Sequence, residues 1–299
     1  MKDNTPDNVV NHEIILTKEE ALILAEDLKK KLQDGEKPQD DIEQIKKLIS
    51  GLGDERGLLR RTFAETLGLI GVKAIPELRT ALLESTNVTV RRAAAKTLKL
   101  VGNPIVLPDL FKALLEDKDP VVQGSSAGAI AIFGEKAVFY FLEVIKNPNA
   151  SSLQCGLASW GLAFIGSEGS EALKKAAKSN NAKIRSSAIA ALGEQIQALN
   201  DEEAKGIVKD SLEDSSIEVQ VEAIKLIDIF PKEEINFDIL ASKIKSEEPE
   251  VRKQVALTLM RINAIDHLNL LESRLREEKD SHIISILKLA INNLRDKNN

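Results

Sequence analysis

The chain has 299 residues, 43% hydrophobic and 29% charged but only 3% aromatic, so its core must be built from Leu, Ile, Val and Ala. Nine prolines in the whole chain favour a long helical protein over an ordinary enzyme core. One cysteine and three histidines exclude a disulfide framework and an all-Cys metal site, and leave little for a His-based one, so no metal site is expected.

No apolar run reaches the length of a membrane span. The polar start Met1-Lys2-Asp3-Asn4 does not read as a signal peptide. A cytoplasmic, all-α protein is expected. The net charge of −6 is distributed in blocks: residues 1–55 carry 8 basic and 14 acidic side chains, and residues 56–112 carry 10 and 4. A pI near 5.4 speaks against a nucleic-acid partner.

In chain order, residues 1–15 are expected as a disordered tail containing the single pair His12-Glu13. Thr17-Lys18-Glu19-Glu20 is a capping box opening a helix from Glu20 to Leu32. The turn Asp34–Gln39 completes a capping segment over residues 16–39. A repeat domain over residues 40–299 follows, its first helix spanning Asp41–Leu52.

The repeat is registered on Arg60, Arg91, Gln123, Cys155, Arg185, Gln220, Arg252 and Ile284, spaced 30 to 35 residues apart. The residue before each of these anchors is aliphatic in seven of eight cases, Gln154 being the exception. Three after stand Phe63, Ala94, Ser126, Ala158, Ala188, Ala223, Val255 and Leu287; seven after, every residue is Leu or Ile. These offsets trace one helical stripe.

Four residues before the anchors, six of eight slots hold N-cap residue types, among them Asn87, Asp119, Ser151 and Ser216. Gly71, Gly102, Gly134 and Gly166 end the first four of these helices. A second helix precedes each, for example Ile75–Leu83 and Leu107–Leu115. Two helices per unit cannot bury their stripes alone, so the units must stack. The expected fold is an all-α, HEAT-like α-solenoid, a right-handed superhelix of about eight helix pairs. The widest spacing places an insertion at Glu194–Asp201.

Gly71-Val72-Lys73-Ala74-Ile75-Pro76-Glu77-Leu78, followed by Val90-Arg91-Arg92-Ala93-Ala94-Ala95, resembles the short HEAT-like repeat of the cyanobacterial phycobilisome-lyase family, over residues 55–262. The resemblance implies a partner that is a phycobiliprotein subunit or a companion lyase subunit. It also implies a bilin ligand, phycocyanobilin or phycoerythrobilin, and a role in chromophore attachment, maturation or turnover. The chain lacks the Asn-His-Cys motif of the isomerising members. Other relatives in the group imply an alternative, a non-catalytic adaptor, for example in iron–sulfur cluster assembly.

The candidate site rests on three departures from the repeat. Residues 120–134 and 147–167 carry no charge, although each window includes a whole second helix, the one that lines the concave face in HEAT solenoids. Six of the ten aromatic residues fall between positions 133 and 164. Arg60-Arg61 and Arg91-Arg92 repeat in register, with Lys96 one turn on. Guanidinium groups spaced in this way bind carboxylates. Arg61, Arg92, Lys96, Gly124, Gly128, Gly156 and Trp160 are the expected partner- or ligand-binding residues, with no catalytic residue among them. The interior glycines imply close helix approach, Cys155 reads as a structural thiol, and His267 and His282 read as surface residues.

Overall fold

The computed structural model describes residues 15–296. The expected N-terminal tail, apart from Ile15, lies outside them, as does His12-Glu13. Among the described residues there are seventeen α-helices and no strand. The expected class, an all-α HEAT-like α-solenoid, is the one observed.

The chain groups into two compact units. The first, up to Phe133, holds α1 (Lys18–Gln33), α2 (Ile42–Gly51), α3 (Gly57–Ile70), α4 (Ile75–Glu84), α5 (Val88–Val101), α6 (Leu107–Glu116) and α7 (Pro120–Ala131). Here α3, α5 and α7 pack side by side, backed by α2, α4 and α6. The second, from Gly134, begins with α8 (Glu135–Lys146), α9 (Ser152–Ile165), α10 (Ser170–Ala176), α11 (Ala182–Leu199) and α12 (Glu202–Ser211). It continues with α13 (Ile217–Lys225), α14 (Phe237–Lys243), α15 (Pro249–Arg261), α16 (Leu268–Glu277) and α17 (Ser281–Asp296).

The repeat register is the packing register. All eight side chains three residues after the anchors, from Phe63 to Leu287, are inaccessible to solvent, and those seven after, from Leu67 to Ile291, are at most 3% exposed. Each buried Leu or Ile contributes about 1.5–3 kcal/mol relative to exposure. The helix starts keep the same register. The side chains of Asn87, Asp119, Ser151, Asn181 and Asp280 accept bonds from backbone N–H groups of the first turn. Ser216 holds its slot without a side-chain cap bond. Gly71, Gly102, Gly134 and Gly166 all have positive φ, as the reversal into the next helix requires.

The capping box at Thr17 and Glu20 forms as read, and the helix it opens is a little longer at both ends than expected. The insertion becomes an 18-residue α11 closed by Asn200 in the left-handed region. Two buried lysines near it bind across repeats: Lys174 meets Asp201 at 3.2 Å and Glu203 at 2.9 Å, and Lys205 meets Glu234 at 3.2 Å.

Candidate functional site

The anchor slot is a structural clip. The side chains of Arg91, Gln123, Arg185, Gln220 and Arg252 each donate to the carbonyl oxygen six residues back, at 2.6–3.0 Å. Arg60 does the same to Asp54. Three arginines also grip a carboxylate at the end of the next repeat's first helix: Arg91 on Asp117, Arg185 on Asp214 and Arg252 on Glu278. The first Arg of each doublet is therefore scaffold, and the second is left for the surface.

In the first unit the clip aims the residues one, five and nine positions after each anchor outward, on one face of α3 and α5. Arg92 and Lys96 lie one turn apart on α5, and both are exposed. Neither makes an ion pair among the described residues. Burial lowers the Lys96 pKa from the usual lysine value, and the neighbouring cations Arg92, Arg60 and Lys99 lower it further. Arg61, in the equivalent position on α3, is not free: its Nε donates to Glu65 at 2.6 Å along the same helix. Gly124 and Gly128 fill the matching slots of α7, half-buried.

In the second unit Gly156 and Trp160 occupy these two slots on α9. Trp160 is 48% exposed and stacks on Phe164, with ring centroids 5.2 Å apart and planes 26° apart. Its solvent-facing slot is as expected from the charged residues elsewhere in that position. The expected close approach is not uniform. A Cβ on Gly161 would collide with the Phe141 ring, whereas one on Gly156 would meet nothing within 4 Å, which leaves open backbone beside Trp160. Cys155 is half-buried and unpaired. His282 is exposed, but His267 is not a plain surface residue: its ring stacks on Phe237 at 4.2 Å. Among the described residues no three His, Cys, Asp or Glu side chains come together as a metal would require.

Within each unit, exposed apolar side chains flank these slots and escape a reading based on charge alone. Leu58, Val121 and Leu153 stand two residues before their anchors, and Leu69, Leu100 and Phe164 stand nine after. In the last four repeats the same positions hold Lys183, Glu218, Glu250 and His282, then Glu194, Ile229, Arg261 and Asn293. The register therefore carries the signal, once its outward slots are compared between repeats. Also unanticipated is a cleft of about 670 Å³ in the first unit, lined in part by Leu16, Lys18, Ser50, Asp54, Glu84 and Asn87. None of the expected site residues lines it.

No described helix is long and apolar enough to cross a membrane. The model of HEAT repeats matches residues 45–131 and 205–291. Over 279 residues, 93% of this chain and 94% of the relative, the sequence is 42% identical to the bilin biosynthesis protein MpeU of Synechococcus sp. (strain WH8020). It is 34% identical over 128 residues, 40% of this chain and 62% of the relative, to an uncharacterized phycocyanin operon protein Z of Pseudanabaena tenuis (strain PCC 7409). Among solved structures, Kap121p bound to Nup53p matches 93% of this chain and 42% of its own, at 13% identity and a TM-score of 0.51, a likeness of fold alone. Matching repeats over more than half the chain, and a relative aligned nearly end to end, place this protein in the HEAT-repeat family, beside the bilin biosynthesis protein MpeU.

Proposed function

We propose that this chain acts in the cytoplasm as a bilin lyase-like HEAT-repeat scaffold that binds a phycobiliprotein subunit, a bilin, or both. Its role is chromophore attachment or phycobiliprotein maturation or turnover. The observation that carries this reading is the 42% identity to a bilin biosynthesis protein across almost the whole of both chains. Two surfaces support it. The exposed Trp160–Phe164 stack beside the open backbone of Gly156 offers a flat apolar platform for a conjugated ring or a partner's apolar side chain. The unpaired Arg92 and Lys96 on α5, with Arg61 and the small residues Gly124 and Gly128 on neighbouring helices, offer a carboxylate-binding face.

The test is co-expression with a phycobiliprotein subunit and with enzymes that make phycocyanobilin or phycoerythrobilin, with and without a companion lyase subunit. Zinc-enhanced fluorescence of the denatured subunit reads covalent attachment, and co-purification reads binding. Attachment that depends on this chain assigns it a lyase role, and stable binding without attachment assigns it a carrier or maturation role. Absence of both, with every subunit and bilin tried, overturns the reading.

A further inference from the structure

We propose that the outward face of α3 and α5 is a binding site for an apolar molecule bearing carboxylates. Arg92 and Lys96 take the acid groups, and Leu69 and Leu100 take the apolar body. The inference deepens the bilin reading by naming where a ligand of that chemistry is held, and it rests on that reading for the identity of the ligand.

Arg92, Lys96 and Leu100 follow one another at i, i+4 and i+8 on α5, all exposed. At a rise of 1.5 Å per residue they form a strip of about 12 Å, cationic at one end and apolar at the other. Neither cation makes an ion pair among the described residues, and the flanking helices α3 and α7 offer no free carboxylate. On one side, α7 carries no charged residue. On the other, the only carboxylate of α3 is Glu65, already bonded to Arg61. Asp117, the carboxylate nearest in the repeat pattern, is held by Arg91 through two bonds of 2.7 and 3.1 Å.

Lys96 is also pushed below the ordinary lysine range by burial and by Arg92 and Arg60. A bound carboxylate would relieve this repulsion.

At the apolar end the two helices approach closely. Gly68 carries no side chain, and the Cβ of Leu100 lies only 3.0 Å from where a Gly68 Cβ would stand. Leu100 therefore leans against α3 at Gly68, the residue before Leu69, and the two leucines, Leu100 and Leu69, remain 50% and 64% exposed. A polyphosphate or a nucleic acid would have no use for this floor, and the net charge of −6 opposes a polyanion in general. A linear tetrapyrrole with two propionates has the required chemistry.

The test uses biliverdin and its dimethyl ester as probes, titrated by absorbance and fluorescence quenching. The proteins are the full wild-type chain, the double variant Arg92→Gln/Lys96→Gln and the charge-retaining Arg92→Lys, with thermal melts confirming the fold of each. Wild type should bind the acid at least tenfold more tightly than the ester. The double variant should bind the acid no better than the ester, and Arg92→Lys should keep most of the affinity. Equal affinity of wild type for acid and ester, undiminished binding of the acid by the double variant, or failure of wild type to bind the acid each overturns the site. Bilin binding that ignores Arg92 and Lys96 removes this site and leaves the proposed function standing. Binding through them, with neither phycobiliprotein association nor attachment in the co-expression test, keeps this site and removes the attachment and maturation role, leaving bilin binding alone.

Discussion

The ring of Phe141 on α8 lies where a Cβ on Gly161 of α9 would have to stand. The missing side chain is what lets the two helices of this pair close on a fully buried aromatic ring. Gly156, five residues earlier on the same helix, has no such neighbour. Gly161→Ala should therefore destabilise the protein by about 1–3 kcal/mol through overpacking. Gly156→Ala should leave stability unchanged or raise it by up to about 1 kcal/mol, from the gain in helix propensity. Urea unfolding of the two variants checks the contrast, and equal effects would refute it.

A second prediction concerns acid. Glu278 receives two bonds from Arg252, at 2.7 and 2.8 Å, in a pair that is almost fully buried. Arg252, with help from Arg274 and the backbone of Lys279 and Asp280, lowers the Glu278 pKa from 4.5 to about 2. As pH falls, the unfolded chain takes up this proton first. The contribution to stability is whole above about pH 4.5 and drains away as pH falls toward 2. Removing the carboxylate at neutral pH strands a buried guanidinium, and Glu278→Ala should cost about 3 kcal/mol. The gap between wild type and Glu278→Ala should narrow as unfolding is measured at successively lower pH. A gap that stays constant would show that the pair is not the source.

What could be read from the sequence divides along a physical line. Offsets within one repeat were legible, because burial of the Phe63-to-Leu287 positions and capping by Asn87 or Asp119 depend on helical periodicity and neighbouring backbone alone. Contacts between helices were not. Gly156 and Gly161 are identical as letters and differ only in what the adjacent helix brings against them. The different states of Arg61 and Arg92, which share a slot, are by contrast local: Glu65 stands four residues after one and bonds it, and Lys96 stands four after the other. The stacking of His267 on Phe237, 30 positions away in the chain, has no local signature at all.

Cys155 occupies an anchor slot in which six other residues clip a loop carbonyl, and its half-buried thiol makes no such bond. Cys155→Ala should thus cost little, within about 1 kcal/mol, and should leave partner binding intact. A thiol that labels rapidly with an exposed-cysteine reagent, or a bilin adduct lost in this variant, would instead make Cys155 a chemical participant.

Trp160 offers the sharpest separation of surface from scaffold. It is 48% exposed, and its principal aromatic neighbour, Phe164, is itself 57% exposed, so the stack shields little core. Replacing it by Ala removes a ring pair worth about 0.5–1.5 kcal/mol to the fold beyond the area it buries. If the stack is where a partner or a bilin lands, the same change should weaken binding by about 2 kcal/mol or more, roughly thirtyfold in Kd, because buried Trp dominates interfaces of this kind. Trp160→Phe, which keeps a ring on Phe164, should recover part of that loss. Isothermal titration with the phycobiliprotein subunit, run beside a thermal melt of each variant, separates the two roles. A large drop in melting temperature for Trp160→Ala would assign the residue to packing, because a solvent-facing stack cannot hold the unit together and a core residue must.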